Sequence, residues 1–276
     1  MKETDYIDPS CPFDVSEFRK TPSVPESEDR VDVLDTLKRV DNLYAQMRYE
    51  EAENLLEEKL AKAVQFGDKA GELGLLSELI GVYRKSRERE KGLDACHRAF
   101  DLIKEMGLEG TSTAGTIWIN GATTMRAFGH SEEGLPYFYM ASRAYSDTIA
   151  ADDYRFAGLY NNLGSCLEDL NRNEEAMKYY KMALNIVKQN PLSELDAAIT
   201  WLSMAELYDK MDPRQDDMVE NCVDQCMDIF NKESIPRDEY YAFHAMNCSK
   251  GLRSLGYFKD AKVLERRAEE IKSEIS

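Results

Sequence analysis

From Val31 onward, apolar residues recur three and four positions apart, the spacing that gathers them on one face of an α-helix. The clearest stretch runs from Tyr160 to Ala183, YNNLGSCLEDLNRNEEAMKYYKMA. Tyr160, Leu163, Gly164 and Leu167 share one face of a first helix. Asp169, Leu170, Asn171, Arg172 and Asn173 form a short polar break whose asparagines tolerate turn conformations. Ala176, Tyr180 and Ala183 then share one face of a second helix. Gly164 and Ala176 are small enough to let the two helices approach closely, and Tyr160 and Tyr180 fill the space beside them.

The same unit recurs along the chain. A small or hydrophobic residue early in each second helix falls at Ala52, Gly92, Gly134, Ala176, Met218 and Ala261, in steps of 40, 42, 42, 42 and 43 residues. A fixed period of this length is the signature of a repeat architecture, in which each helix pair buries its apolar face on its neighbours. The predicted pairs are 31–47 with 49–67, 70–86 with 88–106, 113–128 with 131–150, the pair around Tyr160–Ala183, 194–211 with 214–232, and 237–254 with 257–274. The repeats divide at about 31–68, 69–110, 111–151, 152–191, 192–235 and 236–276. Trp118 and Trp201 are expected in the core between the helices of their pairs. Gly121 is expected to loosen its helix, Pro136 to distort the start of the next, and Pro213 to occupy a first helical turn. Residues 1–30 differ: Pro9, Pro12, Pro22 and Pro25 interrupt any helix. They read as an irregular arm, with Cys11, Phe13 and Phe18 as candidates for packing on the first repeat.

This pattern resembles the tetratricopeptide repeat, W-x2-L-G-x2-Y followed by A-x3-F and a late proline. Tyr160, Leu163, Gly164, Ala176, Tyr180 and Ala183 fit it, Leu167 stands where an aromatic is usual, and Pro191 comes a little late. Each helix is about one turn longer than in the short form of the repeat, as in the kinesin light chain repeats. The resemblance implies an all-α fold, a right-handed α-solenoid superhelix of six tetratricopeptide-like helix pairs over residues 31–276.

Composition narrows the partners. The net charge of −17 repels nucleic acid and anionic lipid. No apolar run approaches the ~20 residues of a membrane span, and MKETDYIDPS lacks a signal-peptide core, which points to a cytoplasmic protein. The six cysteines, Cys11, Cys96, Cys166, Cys222, Cys226 and Cys248, form no disulfide framework. Cys222 and Cys226, one helical turn apart, read as small core residues, with redox sensing or adventitious metal binding as the alternatives. His97, His130 and His244 lie in three different repeats and in no catalytic motif, and no glycine-rich phosphate loop is present. No enzyme activity, catalytic residue, metal or cofactor is therefore expected.

The residues that stand out are asparagines. Asn120, Asn162 and Asn247 occupy one position of the first helix in three of six repeats, although only 12 of 276 residues are Asn. Lys38, Glu78 and Ser203 stand there in the others. The resemblance implies that first helices line a concave face, and that asparagines here clamp a peptide main chain, as in kinesin light chains and peptide-sensing bacterial regulators. A side-chain amide suits that role, because it offers a donor and an acceptor to one peptide unit. Helices packed roughly 8–10 Å apart would let Asn120 and Asn162 grip an extended segment at points about three residues apart. Asn161, Thr116, Thr123, Arg126, Ser165, Glu206 and Lys250 complete the expected peptide-binding face, and Asn161, Asn162 and Ser165 contribute nothing to packing in this reading. The plain alternative is that these are tolerated polar residues in a wet groove. Arg84, Lys85 and Arg126 make the first half of the face basic, while Glu168, Asp169, Glu206 and Asp209 make the second acidic. The sequence thus reads as a non-enzymatic module that binds a protein or peptide segment, with a scaffold or oligomerisation role, or a sensor subunit of a peptide-responsive system, as alternatives. It leaves the oligomeric state open.

Overall fold

A computed structural model describes residues 30–188 and 194–275. The expectations for Cys11, Phe13, Phe18 and the prolines of the arm, and for Pro191, lie outside the described residues. Among the described residues there are twelve helices and no strand. They form six antiparallel-style pairs: α1 Val33–Ala45 and α2 Tyr49–Phe66, α3 Lys69–Ser86 and α4 Arg89–Glu105, α5 Ser112–Ala127 and α6 Ser131–Thr148, α7 Arg155–Asp169 and α8 Asn173–Val187, α9 Glu194–Asp209 and α10 Asp216–Asn231, α11 Glu239–Ser254 and α12 Phe258–Ile275. The chain is an all-α solenoid of helix pairs. It divides into two compact units, one within Pro9–Ala150 holding α1–α6 and one within Ala151–Ser276 holding α7–α12.

The local sequence sets the helix ends. Asp32, Asp68, Thr111 and Asp238 cap α1, α3, α5 and α11, each accepting a hydrogen bond from a backbone N–H three residues on. Five of the six turns inside pairs hold one residue in the left-handed region: Met47, Arg87, Gly129, Asn171 and Gly256. The turn inside the fifth pair is longer, and Pro213 lies within it, ahead of α10, not in a first helical turn. The longer turn also shifts the repeat marker by one residue. Val219, four-square with Ala52, Gly92, Gly134, Ala176 and Ala261 at the fourth position of a second helix, is buried, whereas Met218 is exposed.

The two helices of a pair pack mainly on each other, and first helices also stack on first helices, α3 on α5 and α9 on α11. Close approach within a pair rests on one recurring device. Tyr180 of α8 lies over Gly164 of α7, so that a Cβ added to Gly164 would stand 2.6 Å from Tyr180 Cε1. Tyr145 of α6 lies over Gly115 of α5 in the same way, also at 2.6 Å. In each case the residue after the glycine holds the tyrosine hydroxyl: Ser165 Oγ is 3.1 Å from Tyr180 Oη, and Thr116 Oγ1 is 2.8 Å from Tyr145 Oη.

Other expectations are corrected by packing. Gly121 does not loosen α5, which runs unbroken through it; the Phe100 ring from α4 fills the place of its side chain, 2.4 Å from where a Cβ would stand. α6 likewise continues through Pro136 from Ser131 to Thr148. Trp118 is buried as expected, but Trp201 is only half-buried. α9 turns Ala198, Leu202 and Ala205 into the core instead, leaving Trp201 beside Lys188, whose Nζ lies 5.7 Å from its ring centroid.

Cys96, Cys166, Cys222, Cys226 and Cys248 are all buried free thiols. Burial pushes Cys96 up to about 12 and Cys222 up to about 11. A hydrogen bond with Cys226, together with burial, raises Cys248. Because the thiolate is the reactive form, titration of the native protein with a thiol-specific disulfide reagent near neutral pH is expected to score at most one thiol per chain, with the five buried ones appearing only in denaturant. Replacing Gly164 by Ala is expected to cost about 1–3 kcal/mol by overpacking, read from urea unfolding. An unchanged midpoint would show that Tyr180 yields without penalty.

Candidate functional site

Buried polar side chains are unevenly shared between the two helices of a pair. Among the described residues, every buried polar or charged side chain except Ser131 belongs to the first helix of a pair or to its N-cap. Second helices bury apolar side chains almost alone. Buried polar groups are costly unless hydrogen-bonded, so their concentration on first helices marks the layer where polar chemistry is built into the fold.

In the unit holding α1–α6, Thr116, Asn120 and Thr123 recur at four and three residues and share one face of α5. Thr123 and Arg126 are buried, and Thr116 and Asn120 are half-buried. Arg84 reaches across from α3, its Nη1 donating to Thr124 Oγ1 at 3.3 Å and lying 3.5 Å from the Asn120 carbonyl. Thr116 also bonds the Ser112 carbonyl at 3.2 Å. The structure thus brings Thr116, Asn120, Thr123 and Arg126 together on one helix, with Arg84 beside them. Arg84, which sequence reading placed only in a general basic half, is here a buried cation one helix away.

In the unit holding α7–α12, the asparagines have structural duties, contrary to the expectation that they contribute nothing to packing. Asn161 Oδ1 accepts from Thr200 Oγ1 of α9 at 3.0 Å. Asn162 Nδ2 donates to the Gly158 carbonyl at 2.9 Å. Both are at most 5% exposed. Ser165 is tied to Tyr180 as described, and the Tyr180 hydroxyl also donates to Glu168 at 3.1 Å. Glu168 in turn accepts from Lys210 Nζ at 2.7 Å, which offsets part of the acidity expected of this half. Asp209 is likewise paired, 3.0 Å from Arg214. Glu206 is buried next to Gly251, Asn247 is half-buried and Lys250 is exposed on α11.

One cluster was not visible in the sequence. His244, 1% exposed, places Nδ1 2.8 Å from the Tyr240 carbonyl and Nε2 3.2 Å from Asp196 Oδ1. The Tyr240 hydroxyl donates to the same Asp196 oxygen at 3.0 Å. Burial, the Asp196 charge and this hydrogen bond raise the Tyr240 hydroxyl far above its usual range. The three residues tie α9 to α11. Asp196 and His244 lie 48 residues apart, and no local spacing announces such a contact. Asn120 and Asn162 fall in separate units. Among the described residues, no cluster of three or more His, Cys, Asp or Glu is placed to hold a metal, and no helix is long and apolar enough to cross a membrane.

Residues 159–194 match the family model described as tetratricopeptide repeat. A comparison with curated proteins finds no match. Among solved structures, the chain is similar to BtubC (BKLC) from P. vanneervenii, with 16% identity, a TM-score of 0.57, and coverage of 82% of this chain and 92% of that one. It is similar to a putative kinesin light chain with nearly identical TPR-like repeats from Podosopora anserina, at 12% identity, a TM-score of 0.53, and coverage of 73% and 95%. It is also similar to a Rap protein complexed with competence and sporulation factor, at 16% identity, a TM-score of 0.55, and coverage of 94% and 79%. At these identities the likeness is one of fold: the chain has the helix-pair solenoid fold of tetratricopeptide-like repeat proteins, and the resemblance read from Tyr160–Ala183 lies in the matched segment.

Asn161 and Asn162 are expected to matter for stability. Replacing either by Ala should lower unfolding stability by about 1 kcal/mol, the net worth of a buried hydrogen bond, measured by urea titration. If both variants unfold at the wild-type midpoint, the two amides serve no structural purpose.

Proposed function

We propose that the chain is a non-catalytic binding module that holds an extended protein or peptide segment against its first-helix layer. The coarser part of this reading, a protein-interaction role, goes with the tetratricopeptide-like fold. The observation that supports the finer part is that, among the described residues, buried polar side chains other than Ser131 lie on first helices or their N-caps, since a ligand main chain needs donors and acceptors held in place. That the similar Rap protein was crystallised with competence and sporulation factor accords with it.

Within this reading the duties of the polar residues separate. Asn161 and Asn162 hold the frame. Asn120 is half-buried on α5, between Thr116 and Thr123, and is the amide best placed to take a peptide unit. Arg126 and Arg84 make this part of the layer positive, which favours an acidic side chain or carboxylate near Asn120. In the other unit, half-buried Asn247 and exposed Lys250 on α11 offer an amide and a cation to a polar stretch, while Ser165 and Glu206 lie in the packing behind them.

A peptide-display selection against the full chain tests the proposal. Binders enriched in acidic residues are expected, and Asn120→Ala should weaken them about five- to tenfold through loss of one amide's bonds, with helical content unchanged by circular dichroism. Failure to select any binder, or affinities indifferent to Asn120→Ala, would overturn it.

A further inference from the structure

The second helices of the unit holding α7–α12 divide their charge by sign. α8 and α10 stand at equivalent places in consecutive repeats, and both pack on α9. Counted from the buried markers Ala176 and Val219, Lys178, Lys181, Asn185 and Lys188 of the first correspond to Asn221, Asp224, Asp228 and Asn231 of the second. Steps of three and four residues place each set on one face of its helix, and all eight side chains are exposed. A turn earlier, Glu174 opens one stripe and Asp217 the other. Apart from Glu174 the α8 stripe is cationic, whereas α10 has five carboxylates and no lysine or arginine.

In the other unit such charges meet within the chain. Lys91 of α4 reaches Glu53 and Glu57 of α2 at 3.4 and 2.9 Å, and His97 of α4 lies 2.8 Å from Glu133 of α6, so second helices of consecutive repeats are tied together. Among the described residues no ion pair joins α8 to α10, and Lys178, Lys181, Asp217, Asp224 and Asp228 take part in none. Lys188 lies over the Trp201 ring instead. Opposite charges thus stand in neighbouring stripes on one outer surface without meeting each other. Each stripe is bordered on the same side by a methionine, Met182 after Lys181 and Met218 after Asp217, and both are 40% exposed.

We propose that this surface joins two copies of the chain about a two-fold axis running along the helices, between α8 and α10. That axis sets α8 of each copy against α10 of the other and preserves height along the helix, so every contact occurs twice. Lys181 then faces the partner's Asp224. Lys178 stands between the partner's Asp217 and the partner's Asp224, and Lys188 reaches the partner's Asp228 across a step of about 4.5 Å, three residues at 1.5 Å each. The methionines supply adaptable apolar contact beside the charges. A second copy is the occupant that fits, because the surface holds both signs in the same register. A wholly basic or wholly acidic partner would match one stripe and be repelled by the other. The net charge of −17 opposes association at long range, so the dimer is weak and depends on the local pairing. The contact uses second helices alone and leaves the first-helix layer to a ligand.

Charge reversal tests this with the full chain. In sedimentation velocity the wild-type protein is expected to show a monomer–dimer equilibrium at concentrations up to about 100 μM. Lys181→Glu and Asp224→Lys each bring like charges together at both contacts, and each alone should weaken the dimer about tenfold or more. Mixing the two variants in equal amounts is expected to restore association, because the introduced charge of one then meets that of the other and the remaining pair is native. Both positions are exposed, so circular dichroism should show the same helical content for all three proteins. A wild-type chain that stays monomeric over this range would overturn the proposal. So would a dimer that either reversal leaves unchanged, which would assign association to another surface, or a mixture that associates no better than its components.

Discussion

The fold depends on tyrosine rings laid on glycines. Tyr180 over Gly164 and Tyr145 over Gly115 seat a large ring directly against the backbone of the paired helix, where any Cβ would meet it at 2.6 Å. The hydroxyl end of each ring is fixed by the neighbouring Ser165 or Thr116, so the ring cannot slide along the groove it fills. An aromatic that both packs and bonds specifies one geometry, where an aliphatic of similar size would tolerate several. Phe100 on Gly121 and Phe128 on Gly92 are approaches of the same kind that join consecutive repeats, and neither has a hydroxyl to hold it.

This arrangement explains why polar side chains collect on first helices. The hydroxyls and amides that hold the tyrosines and cross-link neighbouring first helices must face inward, and once buried they must be satisfied. Thr200 with Asn161, Tyr180 with Glu168, and His244 with Asp196 are each such a closed account. Side chains on the same layer that stay half-exposed, Asn120 and Asn247 among them, then project from a frame that is already rigid. In the proposed binding role, such a surface would lose little freedom on taking a ligand.

Much of this was legible in the sequence, because helix period and polar breaks are local signals. α4, α5 and α11 begin and end within two residues of the positions that spacing predicts. Where the reading failed, the cause was non-local. Met218 took the place of Val219 because the turn before α10 is longer than its counterparts, and turn length is not encoded in hydrophobic period. Trp201 stands at the repeat position that takes a large residue between two helices, but the neighbouring Ala198, Leu202 and Ala205 already fill that face. Asn161 and Asn162 were recognised as polar residues in a patterned position, yet their partners could not be seen: Thr200 lies 39 residues away. Periodicity tells which face a residue occupies. It does not tell what stands opposite.

The longer turn between α9 and α10 has a use of its own. The helices on either side keep their pairing despite the additional residues, and Asp212, Pro213, Arg214 and Gln215 are all exposed. A solenoid joined this way tolerates variation in the length of a connector as long as the helices remain in phase, since lengthening a surface loop costs little closure entropy. This connector is therefore a natural port for an inserted reporter, such as a fluorescent protein or an epitope, that could travel with the molecule without entering either face of the helix layers.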